Sequence, residues 1–218
     1  MTRVTGSLQV FDDLEAVAAA AARIVARSIR EHDHTRLALA GGSTPRRCHE
    51  LLAAMPGIPW ERVTIFFGDE RCVPPTSAES NYRMAAETLL GRVTVAAVHR
   101  MRGELGAEAA ATAYAPLVSA APLDLVLLGI GPDGHTASLF PGNAGLAADG
   151  HVTAVHDAPK PPPDRVSLTL RALREARRVV ILVAGADKKD AVRQALAGSV
   201  PAGLIPNAEW LVTKDAAA

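Results

Sequence analysis

Residues 123–142 read LDLVLLGIGPDGHTASLFPG, and this stretch decides the fold. Leu125 to Leu128 is an unbroken apolar run, the pattern of a strand buried on both faces. Glycines at 129, 131 and 134 then end it in a sharp turn that carries Asp133 and His135. Working outward, comparable apolar runs lie at Leu37–Ala40, Val63–Phe67, Val152–Val155, Val179–Ala184 and Trp210–Thr213. Helical patterns fall between them. From Asp12 to Ile29, Leu14, Val17, Ala18, Ala21, Ile24, Val25 and Ile29 share one helical stripe. Further helices are expected from Thr44-Pro45, with the Thr44 hydroxyl as N-cap, over about Ser80–Leu90, over Ala107–Val118 and over Lys188–Ala197. Strands alternating with helices of this length predict an α/β fold, one open parallel sheet with helices on both faces. The only low-complexity stretch, PKPPP at 159–163, is too short for a linker, so residues 1–218 read as one domain. In such sheets ligands bind at the carboxyl ends of the strands.

Composition narrows the class. The 218 residues are 49% apolar but only 4% aromatic, so small side chains must bring helices and sheet close together. Lys+Arg and Asp+Glu both total 23, and a general nucleic-acid binder would need a basic excess. Lysines occur only at 160, 188, 189 and 214. Cys48 and Cys72 form no CxxC and are too few for a disulfide framework, which points to a reducing cytoplasm. No apolar run approaches the roughly 18 residues of a membrane span. Asp12 and Asp13 interrupt where a signal peptide would need its apolar core. The expectation is a cytoplasmic protein with neither nucleic-acid nor membrane partners; monomer and homodimer both stay open.

Three strand ends carry candidate chemistry. The first, LALAGGSTPRR at 37–47, offers Gly42, Ser43 and Thr44 with free amides at a positive helix end. That suits one phosphate, although a tight turn without a ligand fits equally well; no GxxxxGK[ST] loop is present. The second, IFFGDERCVPP at 65–75, places Asp69, Glu70 and Arg71 at a strand end, facing either a site or a solvated turn. The third is the glycine turn itself. Its GxGxxG spacing invites a dinucleotide, but Pro132, Asp133 and His135 occupy the pyrophosphate position and a carboxylate there repels it. Presentation of Asp133 and His135 into a cleft suits general-base work near neutral pH, with a purely structural histidine as the other reading. Arg165 before VSLTL and Lys188 after VVILVAGA are either site cations or surface charges. No HExxH and no GxSxG occurs, so neither a metal site nor a serine hydrolase elbow is supported.

The motifs GGSTP, FFGDERCVP followed by SNYRMA, GIGPDGHTASLFPG, APKPPPDRVSLTL, VAGADKKDAV and PNAEWLV together resemble the 6-phosphogluconolactonase family, in its order, over about residues 38–213. The resemblance implies a Rossmann-like sheet of the glucosamine-6-phosphate deaminase superfamily. It implies hydrolysis of 6-phospho-D-glucono-1,5-lactone, a small phosphosugar substrate, with no metal or organic cofactor. On that likeness His135 matches the general base, Arg71 the lactone-holding arginine, and Asp133 and Asp69 acidic site residues. Gly42, Ser43, Thr44, Arg165 and Lys188 match the phosphate-binding set. One departure is that Thr213-Lys214 follow the last strand where members often carry an Asp. The related deaminases place a glutamate five residues after the histidine, where this chain has Phe140. A sugar-phosphate-sensing module on the same fold would normally carry a DNA-binding domain as well.

Overall fold

The computed structural model describes residues 6–217. Ten strands and six helices follow one another in the order β1 (Leu8–Phe11), α1 (Leu14–Glu31), β2 (Thr35–Leu39), α2 (Ser43–Ala54), β3 (Val63–Phe67), β4 (Asp69–Arg71) and α3 (Asn81–Ala85). The chain continues through β5 (Ala97–Val98), α4 (Ala107–Ser119), β6 (Leu125–Gly129), β7 (Val152–Val155) and β8 (Arg165–Leu168). It closes with α5 (Leu170–Glu175), β9 (Val179–Val183), α6 (Lys189–Leu196) and β10 (Glu209–Thr213). Seven strands form one sheet in the order β1-β10-β9-β6-β2-β3-β5, every neighbouring pair parallel.

Right-handed crossovers explain which helix covers which face. Connections through α1 and α2 run toward the β5 edge, and those through α4 and α6 run toward the β1 edge, so the two sets fall on opposite faces. Strand residues alternate between the two cores accordingly. Leu37, Leu39, Ile65, Phe67, Leu125 and Leu127 pack with Val17, Val25, Cys48 and Leu52 of α1 and α2. Ala38, Phe66, Val126, Leu128, Ile181 and Trp210 pack with Tyr114, Val118, Val192 and Ala195 of α4 and α6. Burial on both faces is what the unbroken apolar runs demanded.

The alternation of elements did not announce a second sheet. β4, β8 and β7 form a three-stranded antiparallel sheet in that order, so Val152–Val155 is a strand outside the large sheet. Val166 and Leu168 from it enter the Tyr114 core, and Leu168 N donates to Gly68 O at 2.8 Å, which joins it to the end of β3. Three short elements also escaped sequence reading: edge strands β1 and β5, and α5. The helix expected over Ser80–Leu90 is α3 capped by Ser80, continued by a π turn over Ala86–Leu90 in which Gly91 N reaches Ala86 O.

Glu70 locks the small sheet to α3. Its buried carboxylate accepts from the backbone amides of Arg71, Asn81 and Tyr82 at 2.8 Å each and from Ser80 Oγ at 2.9 Å. Burial pushes its pKa up from the ordinary carboxylate value, against the pull of these donors. Four donors lose a charged acceptor in Glu70→Ala. The expected loss is about 3 kcal/mol, read as a lower urea midpoint with an unchanged slope; an unaltered midpoint would refute the lock.

Candidate active site

Between β2 and β6 the chain reverses its direction of winding, and the loops leaving these neighbouring strands separate to leave a crevice. The cleft found there has a volume of about 240 Å³ and receives the ends of β2, β4, β6 and β9. Gly42, Ser43, Thr44, Asp69, Arg71, His135, Arg165 and Lys188 all line it. Asp133 stands one hydrogen bond behind, through His135. These candidates are thus brought to one place, whereas Glu70 of the second strand end turns away into its bonds with α3.

At the end of β2 the helix starts two residues earlier than its sequence suggested. Ser43 opens α2, the N-cap is Gly42, and no side chain accepts from the first amides. Thr44 is therefore not the cap; it is buried inside the first turn. Gly42 takes a φ of +107°, a conformation that favours glycine. The uncapped end leaves its N–H groups and the positive dipole end facing the cleft. Gly41 is required for a different reason: a Cβ there would strike the side-chain carbonyl of Asn81.

The second strand end is a strand, not a turn. In the β4/β8 pairing Arg71 lies directly opposite Arg165, and Asp69 opposite Ser167. Two like charges facing each other across strands are unfavourable by themselves. Arg165 is almost fully buried and is held by backbone carbonyls of the proline loop: Nη2 donates to Lys160 O at 2.9 Å and Nε to Pro162 O at 3.1 Å. Burial pulls its pKa down, with the Asp69 charge opposing. Arg71 donates from Nη1 to Glu79 O at 2.5 Å, while its buried Nε finds no partner. Asp69 accepts from Asn81 Nδ2 at 3.0 Å and from Ser138 Oγ at 2.7 Å, and so links the DER, SNY and HTAS segments.

The third strand end forms a histidine–carboxylate pair. Gly131 N donates to His135 O at 2.9 Å and Gly134, with φ +81°, closes the turn on Gly131 O. His135 Nδ1 and Asp133 Oδ1 stand 2.5 Å apart, directly over Gly131, where any Cβ would collide with both. Burial lowers the pKa of His135, and the Asp133 hydrogen bond and charge only partly offset it. Burial also opposes ionisation of Asp133, but its bond to His135 holds it below the usual carboxylate range. At neutral pH the pair is then a neutral imidazole donating from Nδ1 to a carboxylate, which leaves Nε2 with a free lone pair. One face of the imidazole rests on Phe140, with ring centroids 4.4 Å apart.

Lys188 follows β9 in a short 3-10 turn and pairs with exposed Asp187 at 2.7 Å. Asn81 and Ser138 were not singled out by the sequence, although Asn81 follows the Ser80 cap of a helix; Phe140 was noted only for standing where the related deaminases carry a glutamate. Cys72 is no nucleophile candidate, since burial pushes its thiol up to about 11. Among the described residues no group of three or more His, Cys, Asp and Glu side chains could hold a metal ion. Nor is any described helix long and apolar enough to cross a membrane.

Comparison with known proteins adds an independent line. Residues 12–213 match the family model described as glucosamine-6-phosphate isomerases/6-phosphogluconolactonase. The 6-phosphogluconolactonase of Mycobacterium tuberculosis is 37% identical over 243 residues, covering 99% of this chain and 98% of that protein. That of Streptomyces coelicolor is 40% identical, covering 89% of this chain and 84% of its own. The crystal structure of 6-phosphogluconolactonase from Thermotoga maritima superimposes with a TM-score of 0.88 at 32% identity, over 96% of this chain and all of that one. A monomeric glucosamine-6-phosphate deaminase shares the fold with a TM-score of 0.83 at 22% identity. The uncapped glycine turn, the paired arginines and the histidine over Gly131 thus sit on a shared framework, and the chain belongs to the glucosamine-6-phosphate isomerase/6-phosphogluconolactonase family.

Proposed function

We propose that this protein hydrolyses 6-phospho-D-glucono-1,5-lactone to 6-phosphogluconate, with His135 as general base. The observation that carries the reading is the His135–Asp133 pair, 2.5 Å apart, in the same cleft as an uncapped helix N-terminus and three cations. The full-length likeness to 6-phosphogluconolactonases at 37–40% identity supports it. A lactone is an activated ester, so attack by water needs a base and a stabilised oxyanion, and no covalent intermediate. Nε2 of His135 takes a proton from the attacking water as its oxygen bonds to C1. The C1–O5 bond then breaks, and the imidazolium returns the proton to the departing ring oxygen. Asp133 fixes the tautomer and stabilises the imidazolium in between. Arg71, whose side chain lines the cleft, is the cation placed to hold the lactone and offset the developing negative charge. Gly42, Ser43, Thr44, Arg165 and Lys188 hold the phosphate. Amino-sugar deamination is disfavoured because an apolar ring, Phe140, packs on the histidine where the deaminase motif carries its acid.

Freshly generated lactone should disappear faster with the protein than without it, and His135→Ala should lower kcat by roughly 10²–10⁴-fold. Wild-type kcat in a folded variant would remove His135 from the role. The phosphate anchor has its own test. Lys188→Ala loses a charge-assisted hydrogen bond, about 1.5–3 kcal/mol, and should cost on the order of 10–100-fold in kcat/KM on the phosphorylated lactone. Residual turnover of unphosphorylated gluconolactone should hardly change. Equal small effects on both substrates would make Lys188 an ordinary surface charge.

A further inference from the structure

The Phe140 ring touches more than His135. The Arg165 guanidinium carbon lies 5.4 Å from its centroid, so one buried ring contacts both the histidine and the buried arginine of the cleft. Phe140 also lines a separate open depression of about 470 Å³, bounded by Pro141–Gly145, Ala154, His156 and Pro159. That depression shares no lining residue with the catalytic cleft, and the ring packs with Val155 and Ala158. The buried ring thus touches His135 and also belongs to the lining of an open depression.

We propose that Phe140 is a positioning residue, a wall that keeps water off the back of His135 and holds the imidazole in register with Arg165. The proposal rests on the lactonase reading for its catalytic meaning. The charges that act on His135 are Asp133 from its own turn, Asp69 from β4 and Lys160 from the proline loop. None of them changes when the ring is removed, whereas burial, the largest influence on this imidazole, does. Opening the wall therefore raises the pKa of His135. Loss of the π face acts the other way, but that ring is shared with Arg165 and the contribution is the smaller one.

The test is an NMR titration of the His135 imidazole in wild type, Phe140→Val and Phe140→Tyr, assigned by difference against His135→Gln. Wild type should titrate below the ordinary value of about 6.5. Phe140→Val should titrate higher by roughly half to one unit, and Phe140→Tyr, which keeps the ring, at the wild-type midpoint. In kinetics the Phe140→Val loss in kcat/KM should be several-fold larger at pH 6 than at pH 8, since only protonation of the base grows on acidification. A pH-independent loss, or a midpoint that stays or falls, overturns the proposal. If Phe140→Val does not fold, Phe140→Leu gives the same readouts with a smaller rise. Failure of the wild-type protein to hydrolyse the lactone would sink the lactonase reading alone, because the titration judges the wall without substrate.

Discussion

The reversal of winding between β2 and β6 is the constraint on which the site depends. Crossovers of one hand carry α1 and α2 to one face of the sheet and α4 and α6 to the other. No connection can then cover the carboxyl ends of the two strands at which the direction changes. The crevice is a topological necessity, and polar residues there need no cavity carved from the core. It also brings together loops far apart in sequence, since Ser43 and His135 follow neighbouring strands. The apolar residues of β2 and β6 are fully buried on both faces, which gives those loops rigid footings.

Glycine at 131 shows how backbone geometry sets chemistry. The Asp133–His135 bond occupies the space that a side chain at 131 would fill. The turn places carboxylate and imidazole two residues apart yet in contact, with the imidazole mostly shielded from water. Burial then favours the neutral ring and the carboxylate fixes which nitrogen keeps its proton. A base that is unprotonated near neutral pH and has one defined lone pair follows from these two effects, without a metal or a second titrating partner.

The large sheet was legible because double burial leaves an unmistakable mark: Leu125–Leu128 and Val179–Val183 are continuous apolar runs, and Val63–Phe67 is broken only by Thr64. Edge strands β1 and β5 carry no such mark, since Leu8, Val10 and Val98 stay exposed. The small antiparallel sheet was invisible for another reason. Its strands are three or four residues long and one of them is the charged Asp69–Arg71, so neither length nor alternation identifies it. The charged residues and the histidine of the cleft could be noticed from their positions beside strands, although position alone left each with a structural or solvated alternative. Asn81 and Ser138 could not, because their roles depend on Asp69, which faces both; Phe140 was legible as a missing acid but not as the ring that touches His135 and Arg165. The cap assigned to Thr44 lies two residues earlier, at Gly42, and the failure is informative. An uncapped helix end is a defect in a solvated helix and a resource in an anion site.

The cations of the cleft are held in different ways, and this bears on how an anion would bind. Arg165 is clasped by neutral carbonyls of the proline loop, so its charge is oriented without being cancelled. Lys188 is paired with Asp187, whose side chain is largely exposed; such pairs are weak, and a dianionic phosphate competes with it at little cost. Arg71 is anchored through one nitrogen to Glu79 O and keeps a buried Nε free. Facing arginines repel each other across β4 and β8, and an anion between them removes that repulsion and adds attraction to both. On the proposed reading, substrate binding therefore offsets the repulsion between Arg71 and Arg165. The Asp69 carboxylate, tied to Asn81 and Ser138 from two other segments, keeps the pair together until it does.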